Sequence, residues 1–456
     1  MDYIFIKARY RGNNIVAIKS GEAWLEEVED IKEFVFDHFR YHFEARCWRR
    51  LTLDEVYFQE LSKEANDSLM QHFTLEEVVD MIHSCSEDKS SGSDVFNFAF
   101  LKKFWPLLKE EIMWMLRDFY RNASFPKEIN SYFVALIPKT TCPQGLEEDR
   151  SISLVGCLYK VVAKLLANRL KRVLDPVIAH TQTTFVPKRL MLEGLATLNE
   201  VIDWVKKKRK PCFILKVDYE KAYDSIEWSF LIYMLRKLGF NEEWIRWIEA
   251  CVCGGHLSIL VNGSETKEFE IGRGLKQGDP LALFLFITVV EALGGLMRMA
   301  REKGMFQGLE IEGGGTHITH LQFADDTIIV SGAKWENQWC IKAILRCFEL
   351  ASGMKINFHK SKLIGVNIDH DFVDQASSFF HCKISSIPFH FLRILVGANP
   401  RKRSTWERLI DMLKSRLGSW KTRFLSIGGR VTLLNAVLNS IPIHYLLFYK
   451  MPKGGG

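Results

Sequence analysis

The sequence predicts an α+β fold, and three stretches predict it. Residues 212–219 (Cys-Phe-Ile-Leu-Lys-Val-Asp-Tyr) form a buried-looking strand that delivers Asp218 at its end, and 220–224 turn into a helix running past Trp228 and Leu235. Residues 321–330 set Asp325 and Asp326 between two short apolar, β-branched runs, which is the pattern of a hairpin with acids at its turn. Amphipathic helical segments surround both. Strand–helix followed by hairpin is a layout in which two acid-bearing strands lie side by side in one sheet.

At 456 residues the chain is long for one domain, and two or three packed subdomains are expected. Hydrophobic residues at 47% and charged residues at 25% are the composition of an ordinary folded protein and exclude a disordered one. The longest apolar run, 281–290, contains Thr288 and ends at Glu291; it reads as a buried helix and no membrane span is expected. Met1-Asp2-Tyr3-Ile4-Phe5-Ile6-Lys7 has no basic region ahead of a long apolar core, so no signal peptide is expected. The ten cysteines are scattered without paired Cys-x-x-Cys halves, which points to free thiols in a reducing, intracellular compartment. Charge is uneven: 160–210 carry twelve Lys or Arg against four acids, 401–430 nine against two, and 1–110 fourteen against twenty-one acids. Two separate basic tracts suit a polyanion partner.

Taken in order, residues 1–72 read as a peripheral helical segment, with apolar residues at helical spacing between 22 and 43. Thr74 followed by Glu77 is a capping-box start for a helix reaching Cys85, and a second helix covers about 98–120. A strand at 132–139 ends on Pro138-Lys139; after a turn-rich gap come Arg150 and an amphipathic helix at 158–173, basic around an apolar stripe. A further helix through 200–205 runs into Lys206-Lys207-Lys208-Arg209-Lys210, a basic run that fits either a localisation signal or a solvated helix end. A hairpin at 257–271 leads to the glycine-rich 272–280 loop, whose Pro280 opens the long apolar helix. A helix at 338–350 and a basic helical tail complete the chain. His317 and His320 flank a strand with no partner ligands nearby in sequence and read as structural.

Asp-Asp alone is a common turn dipeptide. Together with Asp218, about a hundred residues upstream, it is a different matter. Carboxylates on adjacent strands can bridge two Mg2+ ions (or Mn2+) roughly 3.5–4 Å apart, clamping the attacking and leaving oxygens of a phosphoryl transfer. Lys139 and Arg150 can grip a triphosphate. The 272–280 loop lets backbone approach a nucleotide closely, with Gln277 able to hydrogen-bond there.

These residues resemble the reverse transcriptase of plant LINE-type (non-LTR) retrotransposons. The resemblance runs from about Phe73 to Lys453 and is carried by Leu215 through Ser225, Arg273 through Phe286, and Phe323-Ala324-Asp325-Asp326. It implies a right-hand polymerase: a fingers-like region at 73–210, a palm at 211–366 and a basic helical thumb or connection at 367–456. Asp218, Asp325 and Asp326 are then the metal-binding catalytic acids. Tyr223 is the gate that collides with a ribose 2′-hydroxyl, Lys139 and Arg150 hold the triphosphate, Gln277 and Gly278 line the nucleotide site, and Lys355 assists the leaving pyrophosphate. Glu220 and Asp224 serve structure. The implied partners are an RNA template, a DNA primer and deoxynucleoside triphosphates, in a nuclear or cytoplasmic ribonucleoprotein. No endonuclease-like segment or Cys/His cluster flanks the matched region, so the chain resembles the central part of a longer protein.

The departures from the family pattern are specific. For Lys-Ser-Pro-Gly-Pro-Asp-Gly the chain has Lys89-Ser90-Ser91-Gly92-Ser93-Asp94-Val95. Ser151 replaces the Pro of Arg-Pro-Ile-Ser, Lys188 the Gly of Gly-Arg, Ala282-Leu283 the usual Ser-Pro, and Phe391-Leu392-Arg393 the Tyr-Leu-Gly, with a Pro-to-Leu change at Leu395. Replacing a left-handed glycine costs about 1 kcal/mol or more. Such changes favour an alternative reading, an inert nucleic-acid-binding remnant of the same fold. An RNA-dependent RNA polymerase shares the double-Asp hairpin but is opposed by Tyr223, and a metal nuclease has no need of the 272–280 loop.

Overall fold

The computed structural model describes residues 14–45, 50–87, 90–140, 143–311, 316–419, 431, 434–435 and 440–450; the extreme N-terminus and part of the basic tail expected at 401–430 lie outside these. The α+β expectation holds. Two five-stranded sheets form the frame. One runs His320–Phe323, Asp326–Gly332, Cys212–Val217, Lys362–Val366, Lys383–Ser385, antiparallel except for the last pair. The other runs Asp149–Leu154, Ser131–Pro138, His256–Val261, Ser264–Glu265, with Phe269–Glu270 also on His256–Val261.

The first sheet is apolar on both faces. Phe213, Leu215, Val217, Ile329 and Leu363 enter the main core, while Cys212, Ile214, Ile328, Val330 and Ile364 enter a second cluster under Met191–Lys208 and Phe389–Phe391. That two-sided burial is why 212–217 reads as a continuous apolar run rather than an alternating one. Each large side chain buried this way is worth about 1.5–3 kcal/mol. The sheet continues past residue 366 through Lys383–Ser385.

The N-terminal segment is neither wholly helical nor peripheral. Ile18–Ser20 and Ala23–Leu25 form a hairpin that takes Trp24 out of the expected helix, which starts at Val28. Ile31, Val35, Phe39, Phe43, Val56 and Phe58 lie in the main core. The apolar run at 281–290 belongs to a 21-residue helix, Ala282–Glu302. Among the described residues it is the one helix long and apolar enough to cross a membrane by length and composition, and 78% of its most apolar 18 residues are buried inside the protein.

Basic residues in the 160–210 tract do not all face solvent. Arg169 is buried, stacks 4.4 Å from the Phe73 ring, donates to the carbonyls of Leu69, Gln71 and His72, and pairs with Glu77 at 2.7 Å. Thr74 does cap its helix by accepting from Glu77 N–H, but the Glu77 carboxylate goes to Arg169. Arg189 fans onto Asp175 and the carbonyls of Ile178, Ala179 and Gln182. His320 is structural as expected: buried between Thr181 Oγ1 (3.0 Å) and Thr319 Oγ1 (2.9 Å), its imidazole is held down to about 3 by lost hydration. The eight cysteines among the described residues are free, with Cys157, Cys212 and Cys251 fully inside.

The residues at the three glycine replacements adopt left-handed backbone. Val95, Lys188 and Arg393 have φ of +63°, +66° and +67°. Leu392 and Arg393, both left-handed, make the two-residue turn between Phe389–Phe391 and Ile394–Val396, a turn that favours Asn-Gly. Gly92, by contrast, is kept where a Cβ would sit 2.0 Å from the Val155 carbonyl oxygen. Val95→Gly, Lys188→Gly and Arg393→Gly are each expected to stabilise the chain by about 1 kcal/mol in chemical denaturation.

Candidate active site

Register brings the acids together. Val217 pairs with Thr327 across neighbouring antiparallel strands, so Asp218 and Asp326 come next to one another at the sheet end. Phe323 pairs with Asp326, which leaves Ala324-Asp325 as a two-residue turn with Ala324 left-handed at φ +51°. That conformation is costly for alanine, and a neighbour supports it. The Gln182 Oε1 accepts from the Ala324 N–H (3.3 Å) and from the Thr184 N–H (3.1 Å), while 181–183 run hydrogen-bonded along Gln322. Gln182 was not among the residues expected at the site, because a buried amide serving a turn more than a hundred residues away leaves no local pattern.

Asp218 is held through its backbone. Its N–H donates to Ser361 Oγ (3.1 Å) and its carbonyl accepts from Asn357 N–H (2.8 Å). Burial raises the Asp218 carboxyl; Lys360 and Lys216 draw it down and Asp326 pushes it further up. Asp325 reaches solvent at the turn, yet lost hydration raises its carboxyl. Its own backbone N–H and Arg150 oppose that rise, and Asp326 and Asp218 add to it. Asp326 Oδ1 lies 3.5 Å from Lys216 Nζ. Asp218 and Asp325, each pushed up by a neighbouring carboxylate, with Asp326 beside them, make a set that suits a hard divalent cation. They do not yet converge: among the described residues no three His, Cys, Asp or Glu side chains are gathered as a ligating group.

Cations reach this floor from the second sheet. Ile137 pairs with Arg150 and Pro138 with Asp149, which sets Arg150 and Lys139 at one end of that hairpin. Burial lowers Lys139, as do Lys360 and Arg150, against Asp149 and Asp224; its ammonium donates to the Glu147 carbonyl at 2.9 Å. Tyr223 stacks on Phe286 (centroids 4.4 Å, 23°) and its hydroxyl is pushed up by burial and by Asp325. Gln277 accepts from Ser153 N–H through its carbonyl (2.8 Å), and Gly278, at φ +105°, lies exposed beside it. Beneath them the Lys276 ammonium is buried against Asn130 Oδ1 (2.7 Å), the Cys251 carbonyl (2.9 Å) and the Tyr159 ring (4.0 Å). Burial lowers Lys276 to about 8, and Asp279, which accepts from Tyr159, opposes that fall.

One electrostatic neighbourhood thus joins Asp218, Asp325, Asp326, Arg150, Lys139 and Tyr223. Lys355 instead pairs with Glu220 in a two-residue ladder. The lysine that acts on both Asp218 and Lys139 is Lys360, five residues on and overlooked in the sequence although it lies in the same basic stretch. Asp224 is buried and accepts from Ser151 Oγ (2.9 Å), tying the second sheet to the turn that follows the Asp218 strand.

An acid floor faced by cations from a second sheet is the architecture of a centre that handles phosphate esters. The chain belongs to the reverse transcriptase (RNA-dependent DNA polymerase) family, which matches residues 137–420. It is 25% identical over 387 residues to the transposon TX1 uncharacterized 149 kDa protein of Xenopus laevis, covering 83% of this chain and 29% of that protein. It is 26% identical over 245 residues to the retrovirus-related Pol polyprotein from type-2 retrotransposable element R2DM of Drosophila melanogaster, covering 53% and 22%. To the uncharacterized mitochondrial protein AtMg01250 of Arabidopsis thaliana it is 43% identical over 84 residues, 18% of this chain and 66% of that protein. Within the family the likeness is to non-LTR, LINE-type retrotransposons, and the chain spans less than a third of the two transposon proteins.

Asp224 supplies a pH test. Its carboxyl is raised by burial from 3.8 to about 6, so the unfolded chain ionises first as pH rises. Stability attributable to this group is therefore lost between about pH 4 and 6. Asp224→Asn, which still accepts from Ser151, is expected to flatten that loss by up to about 3 kcal/mol in denaturation curves across the window.

Proposed function

We propose that this chain carries the polymerase part of a plant LINE-type retrotransposon protein and extends a DNA primer on an RNA template from deoxynucleoside triphosphates. The observation that carries the reading is the Val217–Thr327 register, which brings Asp218 beside Asp325 and Asp326. The similarity to the Arabidopsis protein supports the plant assignment. In this reading the first sheet is the palm, the Lys139–Arg150 hairpin belongs to the fingers, and the helices from Ser404 onward form the thumb. The working location is a nuclear or cytoplasmic ribonucleoprotein.

Asp218, Asp325 and Asp326 hold the divalent cations, Mg2+ or Mn2+, which when bound stabilise the charge of the transferred phosphoryl group. Arg150 and Lys139 hold the triphosphate over these acids. Tyr223, fixed by Phe286, narrows the sugar site against a 2′-hydroxyl. Gln277 and Gly278 offer backbone and amide to the nucleotide, held in place by the buried Lys276 below. Lys360, beside Asp218 and Lys139, is better placed than Lys355 to meet the leaving pyrophosphate.

The left-handed Val95, Lys188 and Arg393 favour a second reading, a fold that still binds nucleic acid but no longer polymerises. Primer extension on an RNA template with Mg2+ separates the two. Extension is expected, and Asp325→Ala with Asp326→Ala is expected to reduce it by roughly a hundredfold or more. Salt-dependent RNA binding without extension by the unaltered chain establishes the second reading instead. Tyr223→Ala is expected to raise ribonucleotide incorporation relative to deoxynucleotide in the same assay.

A further inference from the structure

Lys216 stands two residues before Asp218 on the central strand of the carboxylate sheet, on the face that Asp326 shares. Its backbone is fixed by pairing with Ile328 on one side and Lys362 on the other. Its ammonium lies 3.5 Å from Asp326 Oδ1, donates to the His390 carbonyl at 3.4 Å, and sits 5.7 Å from the Phe391 ring centroid. Lys362, a like charge directly opposite, disfavours a swing toward its own strand. Lys216 and Asp326 are partly open to solvent, at 26% and 39% side-chain exposure, so the ion pair is exchangeable.

We propose that Lys216 is the resident counter-cation of Asp326: it neutralises that carboxylate in the metal-free protein and yields it to a divalent cation, keeping the His390 carbonyl and Phe391 ring as its own partners. The exchange leaves no charge stranded. Asp326 trades one cation for another, and the ammonium retains an acceptor and an aromatic face already within reach. Without Lys216 the acids would face one another with less compensation, so the lysine holds the Asp326 side chain in place before the metal arrives. Lys216 is a positioning residue in this account, and the account rests on the reading of the three acids as metal ligands.

The test is Mn2+ titration of the full chain, followed by the loss of the free-ion paramagnetic resonance signal, with thermal melts in chelator. Lys216→Met removes the competitor and is expected to bind Mn2+ roughly two- to fivefold tighter, while melting at lower temperature when metal-free. Lys216→Arg keeps a cation and is expected to follow the unaltered chain in both. A lysine that merely supported the fold would, on removal, weaken the site, so the direction of the change separates the roles. Lys216→Gln replaces the methionine variant if circular dichroism shows that it does not fold. Unchanged or weaker Mn2+ binding by a folded Lys216→Met or Lys216→Gln protein overturns the proposal. Absence from the unaltered chain of any Mn2+ site that Asp218→Asn removes overturns the metal reading itself, and the proposal with it.

Discussion

The site depends on one pairing, that of Cys212–Val217 with Asp326–Gly332. A slip of one residue would send every side chain of the strand to the opposite face. Here such a slip is doubly penalised, because both faces are packed: Leu215 and Val217 would leave one core as Ile214 left the other. The acids themselves contribute nothing to that specification. They ride at the end of a register set by apolar residues, and their mutual repulsion is tolerated because the packing behind them is fixed.

The two sheets share the main apolar core, and polar contacts fix how one stands against the other. Ser151 donates to Asp224, Ser153 to the Gln277 carbonyl, and the 272–280 loop lies along 223–226 through backbone bonds from Gly274 and Leu275. Such contacts are directional, so they fix where Arg150 and Lys139 stand over the acids rather than only holding the layers together. The cost is several buried ionisable groups, Asp224, Lys276 and Asp279 among them, each needing partners from more than one element.

How much of this was legible follows from how local each cause is. The Asp218 strand, the Asp-Asp hairpin, the Thr74 cap and the strand ending at Pro138 are written in contiguous patterns of period and turn chemistry, and all four are found. The glycine replacements were legible as a conflict, and the left-handed backbone at Val95, Lys188 and Arg393 is that conflict made visible. What was not legible joins residues far apart in the chain. Gln182 beneath Ala324, Glu77 diverted from its own helix to Arg169, and Lys360 rather than Lys355 beside Asp218 are set by packing that no local window contains. The N-terminal segment misled for the same reason: its helical stripe is genuine, but whether a stripe lies on the periphery or in the core is decided by what covers it.

The enclosed thiols have a use unrelated to chemistry at the acids. Cys212 lies at the start of the central strand, and Cys157 and Cys251 in the helices on the other side; burial pushes all three thiols far from the reactive thiolate form. A water-soluble alkylating reagent meets each one only after its surroundings part. The chain therefore carries its own residue-specific clocks: alkylation of Cys212 times the opening of the carboxylate sheet, and alkylation of Cys157 and Cys251 times the opening of the helical layer. Whether the two halves come apart together or in sequence can be read from the order in which those sulfurs are tagged.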